Sequence, residues 1–299
     1  MPLQYNISDF DDIPRKDAPD IRSTLQLLIS ANHILHYHGL VDAFGHVSVR
    51  HPFNSNLYVL AAYDPGAPAL VSSRNDFIEY FTNGSEPVSD DQPRGYSERF
   101  IHGEIYARFP SVQCVVHSHS EAVIPFTAAG ISIKPVFHMA GFLGAKGPPT
   151  FDLTGVYSRA DMKKALPQDM LIKSSYLGEK LAQAFLGDGD SEVCDCSVVL
   201  QHKHGFTCIG SSIQETVYRA IYLQKNCKLL KDALDLAGGD TSKISYLTNE
   251  EAKACEKMNQ MTHDKAFRLW LREVQVNPLY QNDEGVPQNL PVGGMQDDL

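Results

Sequence analysis

The stretch Gly95-Tyr-Ser-Glu-Arg-Phe-Ile-His-Gly-Glu-Ile-Tyr-Ala-Arg-Phe-Pro-Ser-Val-Gln-Cys-Val-Val-His-Ser-His-Ser120 joins two elements of different period and ends on a pair of histidines. From Ser97 to Arg108, Ile101 and Ile105 recur at helical spacing. Pro110 stops that helix, because proline has no N–H for the next turn. Glu98 and His102 stand four apart, so one helix face offers a carboxylate and an imidazole. Val112 to Val116 is short, apolar and partly β-branched, which predicts a buried strand, and strand alternation sends His117 and His119 to one face. His117 and His119 can therefore share one ion. A His-x-His pair alone fits surface or core histidines equally well, so a third ligand has to come from elsewhere.

Upstream, Arg22 to His38 reads as a helix on Leu25, Leu28, Ile29, Ile34 and Leu35, with Gly39 as its stop. The run Gly39 to Pro52 then holds a strand over Val47–Arg50, on which Ser48 and Arg50 share a face with His46. His46 and Arg50 together suit an anion, and a strand with one polar face on solvent would look the same. Leu57–Ala62, Ala69–Ser72 and Phe77–Phe81 read as short strands, and residues 85–96 as the loop that delivers the chain to Glu98. Downstream come a helix over Ala122–Ala129 and a strand over Ile131–Phe137, the latter bringing His138 to the same end of the sheet. Residues 141–170 form a long Gly-, Pro-, Lys- and Asp-rich connection of the kind used as a lid or interface. A helix over Tyr176–Phe185 follows. Strands Ser197–Gln201 and Phe206–Ile209 are joined by His202-Lys-His-Gly205, and His204 is the better third ligand because Gly205 lets backbone approach an ion. Helices over Ile213–Leu234 and 249–274 end the pattern, giving an N-terminal arm (1–20), a main domain (21–245), and a C-terminal helix with an extended tail (246–299).

The chain has 299 residues and a formal net charge of −10. No concentrated basic surface stands against that charge, which argues against a nucleic-acid partner. Its six cysteines form no Cys-x-x-Cys pair and read as structural thiols. There is no apolar run of membrane-spanning length and the N-terminus is acidic, so the expectation is a cytoplasmic protein with no membrane partner.

With Ser97-Glu98, Val115-Val-His117-Ser-His119 and His204-Gly205 in view, the chain resembles the class II aldolase/adducin family over roughly residues 20–235. Tyr218-Arg-Ala-Ile-Tyr-Leu223 agrees with that family's last core helix. The resemblance implies a three-layer α/β/α class II aldolase-like fold with a mostly antiparallel central sheet. It also implies a homotetramer with active sites at subunit interfaces, and one divalent metal ion (Zn, Mn or Fe) on His117, His119 and His204. Glu98 would ligate that ion or act as a base, with a plain helix N-terminal role as the alternative. His102 would orient Glu98, donate to substrate, or simply pack.

Departures from the sugar-phosphate aldolases narrow the chemistry. Gly45-His46 stands where they have Gly-Asn, Val71-Ser-Ser-Arg-Asn75 replaces a Ser/Gly-rich phosphate loop, and Met139 rather than a tyrosine follows His138. The resemblance runs instead toward the branch acting on aromatic or heteroaromatic carboxylic acids. The expectation is a metal-dependent carbon–carbon lyase, a decarboxylase of a hydroxylated aromatic or 2-oxo-type acid, with Glu98 and His102 catalytic. His46, Arg50, Arg99 and His138 are the candidates to hold this small carboxylic acid. A non-heme iron oxygenase and an aldolase on an unphosphorylated substrate are the alternatives.

Overall fold

Val47 and Val49 alternate with His46, Ser48 and Arg50 on a strand in which every residue is buried, so both its apolar and its polar face are covered. That strand, β1 (His46–Arg50), lies inside a seven-stranded sheet with β2 (Leu57–Ala61), β3 (Phe77–Phe81), β4 (Cys114–Ser118), β5 (Thr150–Phe151), β6 (Val198–Gln201) and β7 (Gly205–Gly210). The order is β3-β2-β1-β4-β7-β6-β5, and only the β5–β6 pair is parallel. The computed structural model describes residues 21–64, 67–157, 168–186 and 194–287, so the arm at 1–20 and the end of the tail lie outside the described residues.

Helices close both faces. Helices α1 (Ile21–Tyr37), α6 (Ile213–Leu236) and α7 (Asn249–Gln275) pack on one another and cover one face through β1, β4 and β7. Helices α2 (Arg99–Arg108) and α5 (Ser175–Gln183) pair on the other. Short helices α3 (Ile124–Ala129) and α4 (Leu153–Tyr157) lie in the connections. This is the three-layer arrangement with a mostly antiparallel sheet that the resemblance implied.

Two expected strands are absent. Ala69–Ser72 is replaced by a single 3-10 turn, Pro68–Leu70, started by proline at its first position. Ile131–Phe137 has strand composition but runs outside the sheet, its backbone bonded to the Asn226 side chain and, at Pro135 O, to Leu247 N at 3.0 Å, instead of to a neighbouring strand. Asn226 on α6 accepts from Val136 N at 2.9 Å and donates to the Lys134 carbonyl at 2.9 Å. The described part of the tail is docked, since Arg22 and Gln26 of α1 both donate to the Glu284 carbonyl and Arg74 pairs with the Glu284 carboxylate at 3.2 Å.

Candidate metal centre

Sheet register assembles the site. The β1–β4 pairing sets His46 beside His117, and the β4–β7 pairing sets His117 beside Thr207, so the ends of three strands meet at one rim. His119 lies just past β4, and His204 sits in the tight β6–β7 turn. Gly205, at φ 154°, makes that turn possible: a Cβ there would fall 2.0 Å from the Ser118 carbonyl oxygen. Any side chain would force β7 away from β4 and carry His204 off His119.

Nε2 of His119 lies 3.0 Å from Nε2 of His117 and 3.0 Å from Nε2 of His204. The Glu98 Oε2 stands 3.7 Å from the first of those and 3.6 Å from the second partner, His204. All four ligand atoms fall within 4.8 Å of one another, and no other such group of three or more occurs among the described residues. Two ligands at 2.0–2.1 Å from one tetrahedral ion lie roughly 3.3 Å apart, so the cluster is close to the dimensions a small divalent cation requires. Burial holds the His117 and His119 rings below the usual imidazole range and His204 down to about 4, where the His119 charge adds to the effect. Neutral imidazoles with converging lone pairs are ligands ready for a cation. The residues therefore fit the metal that the family pattern implies.

Glu98 is the N-cap of α2 but caps nothing with its side chain. Its Oε1 accepts from Ile172 N at 2.8 Å, which turns Oε2 to the histidines. Burial pushes its carboxyl up to about 7, with the Ile172 N–H opposing. His202, the histidine two before His204, turns away to Asp152 at 3.3 Å.

The remaining candidates separate. His46 stays at the centre, its ring centroid 5.0 Å from that of His117. His102 does not touch Glu98; it lies behind His46, with Nε2 2.7 Å from His46 Nδ1, and is wholly buried. Of the roles left open for it, orienting Glu98, donating to substrate or packing, its place is a packed one against His46. Arg50 is likewise committed elsewhere. Its guanidinium, buried under α2, donates to the carbonyls of Val112, Ser55, Tyr106 and Phe109, which takes up four of its five N–H donors. The Tyr106 carbonyl needs it because its helical partner would be the N–H of residue 110, which is proline. Arg99 donates to the Ser85 carbonyl at 2.7 Å and lies over the Phe100 ring at 4.5 Å, away from the histidines. His138 is exposed, opens a 3-10 stretch (His138–Leu143), and has Phe137 as its ring neighbour, because the segment before it never joins the sheet. Ser48 and Tyr106, singled out by no motif, prove to be joined to His102; their four-residue and two-residue spacing from His102 and His46 was the signal available.

A mostly antiparallel sheet between helical layers, with three imidazoles and a carboxylate at one rim, defines an α/β enzyme class built around a candidate divalent-cation centre. The chain belongs to the class II aldolase and adducin family, whose Class II Aldolase and Adducin N-terminal domain profile matches residues 26–230. It is 40% identical over 264 residues to decarboxylase tropJ of Talaromyces stipitatus, covering 86% of this chain and 96% of that one. It is 27% identical over 208 residues to a 3,4-dihydroxyphthalate decarboxylase of Terrabacter sp., covering 68% and 78%. The fold superposes on L-fuculose 1-phosphate aldolase from Glaciozyma antarctica PI12 with a TM-score of 0.63 at 18% identity, over 92% and 99% of the two chains. In this family, and with a decarboxylase 40% identical over nearly its whole length, the chain is an enzyme of the lyase type.

Proposed function

We propose that this chain is a divalent-metal-dependent decarboxylase of a hydroxylated aromatic carboxylic acid. The convergence of His117, His119, His204 and Glu98 on one point, in a chain alike over nearly its full length to a decarboxylase, carries the reading. A cation held by the three imidazoles supplies Lewis acidity to a substrate oxygen. The protein's own groups do the rest. His46 is the polar side chain placed beside the cluster to hold a substrate oxygen. Glu98, covered by the Ile172 segment and only 5% exposed, is the carboxyl that holds or moves a proton at Oε2. Decarboxylation breaks the bond from ring carbon to carboxylate, CO2 leaves, and the electron pair left on the carbon takes a proton within reach of Glu98. Glu98 and His117 are buried at this rim, which strengthens electrostatic stabilisation of that charge on their side of the site. Arg50 and Arg99, two of the candidates to hold an anion, are bound to backbone carbonyls, which favours an unphosphorylated acid over a sugar phosphate. The reading extends to a homotetramer in the cytoplasm, where all six cysteines would remain thiols as they are here.

Elemental analysis of purified protein, paired with CO2 release from a panel of hydroxylated benzoic and phthalic acids, tests this. One divalent ion per chain and turnover are expected, and His119→Ala should lose both while keeping its circular dichroism. Full metal content in that variant, oxygen consumption in place of simple CO2 loss, or aldol cleavage as the only activity would refute the proposal.

A further inference from the structure

Behind the candidate centre runs a line of polar side chains for which the sheet core has no packing need. Tyr106 Oη lies 2.8 Å from Ser48 Oγ, Ser48 Oγ lies 2.6 Å from His102 Nδ1, and His102 Nε2 lies 2.7 Å from His46 Nδ1. None of the four residues is more than 2% exposed. We propose that Tyr106, Ser48 and His102 are positioning residues that fix His46 with its proton on Nε2, so that a hydrogen-bond donor is held permanently toward substrate; this rests on the decarboxylase reading for its use.

The direction of the chain follows from counting protons. The Tyr106 hydroxyl has one hydrogen to donate, and Ser48 Oγ is its hydrogen-bond partner, the buried Cys114 thiol nearby being a weak acceptor. Tyr106 therefore donates to Ser48. Ser48 then spends its own hydrogen on its remaining partner, His102 Nδ1, which must be unprotonated to accept it. An imidazole keeps at least one proton, so that of His102 is on Nε2 and points at His46 Nδ1, which in turn must be bare. A ring with a bare Nδ1 is neutral, and its single proton is on Nε2. Besides His102, the His46 ring bonds only to its own backbone among the described residues, so no neighbouring side chain competes with a carboxylate or phenolate oxygen for this N–H. An N–H fixed in advance needs no reorganisation when negative charge develops.

The test is a long-range proton–nitrogen correlation spectrum of zinc-loaded protein labelled with 15N-histidine, with His46 assigned by its loss in His46→Gln. His46 should show a bare Nδ1 and a protonated Nε2. In Tyr106→Phe the chain loses its fixed direction. The Nε2–H population should fall, with kcat roughly five- to tenfold lower, the loss of about one hydrogen bond, and KM changed less than about twofold. A proton on Nδ1 in the wild type, or an unchanged tautomer and kcat in Tyr106→Phe, would overturn the proposal. Should Tyr106→Phe not fold, the wild-type spectrum decides alone. A protonated Nε2 in a protein that releases no CO2 from any acid of the panel would sink the decarboxylase reading and leave the positioning chain standing.

Discussion

Replacing Arg50 by methionine separates two roles for a residue that sequence alone placed in the substrate site. Methionine keeps the apolar stem and removes every guanidinium donor. The Val112 and Tyr106 carbonyls lose bonds of 2.9 and 2.8 Å in a buried environment, and the latter has no helical N–H to fall back on because residue 110 is proline. Phe109 O keeps a second donor, Val112 N at 3.1 Å, and the Ser55 carbonyl is close enough to the surface for water to replace its donor. Two orphaned buried acceptors at about 1–3 kcal/mol each put the cost at about 4 kcal/mol. For a chain of this size that is a fall in Tm of roughly 10 °C. Arg50→Lys, which keeps the charge but not the fork, should recover only part of this loss. Thermal unfolding of both variants, with KM measured on whatever folds, is the assay. A substrate-gripping arginine would give the opposite pattern, with unchanged Tm and a steep rise in KM, and that result would refute the structural role assigned here.

Three more perturbations follow from particular contacts. Burial lowers His33 to about 4 while its Nε2 donates to the Val71 carbonyl at 2.7 Å, so the folded state resists protonation. The depressed folded value means the stabilisation is complete above the unfolded value near 6.5 and is lost as pH falls toward 4. About 2 kcal/mol should therefore be gone at pH 5, and chemical denaturation of His33→Gln at pH 7.5 and pH 5 should show a shallower loss than wild type. Gly205→Ala should leave the fold intact but reduce bound metal per chain at least severalfold by elemental analysis, since the added Cβ strikes the Ser118 carbonyl between His119 and His204. Wild-type metal content there would show that the turn yields without moving His204. Asn226→Ala strips both hydrogen bonds from residues 134–136 and should lower stability by about 2–3 kcal/mol in urea unfolding, whereas a change under 1 kcal/mol would mean water replaces the amide.

Most of the sheet was legible because its strands are bounded by clear turn signals and carry alternating or continuous apolar residues; β1, β2, β3, β6 and β7 fall where patterning puts them. The run Ile131–Phe137 shows where patterning stops. It has β-branched, apolar residues, yet part of what satisfies its backbone is Asn226, ninety residues on in the chain, and no local rule reveals that partner. Arg50 was misplaced for a related reason. Its charge suggests an anion, while the proline that ends the helix, legible on its own, connects to Arg50 only in three dimensions, where the strand passes beneath two buried carbonyls.

The centre itself was half visible. His117 and His119 follow from strand alternation, and His204 from the glycine after it. The four-residue spacing of Glu98 and His102 implies one shared helix face that offers a carboxylate and an imidazole. The helix proper begins at Arg99, however, and Glu98 sits before it at φ −91° and ψ 17°, so its side chain swings to the histidines under the hold of Ile172 N. His102 and Tyr106, inside the helix, keep the common face and turn it down onto Ser48 and His46 of β1. One residue of displacement at a helix start thus divides a single helix face between two tasks: a carboxylate offered to the candidate metal centre, and a buried line behind it that, in the proposal above, settles which nitrogen of His46 bears the proton.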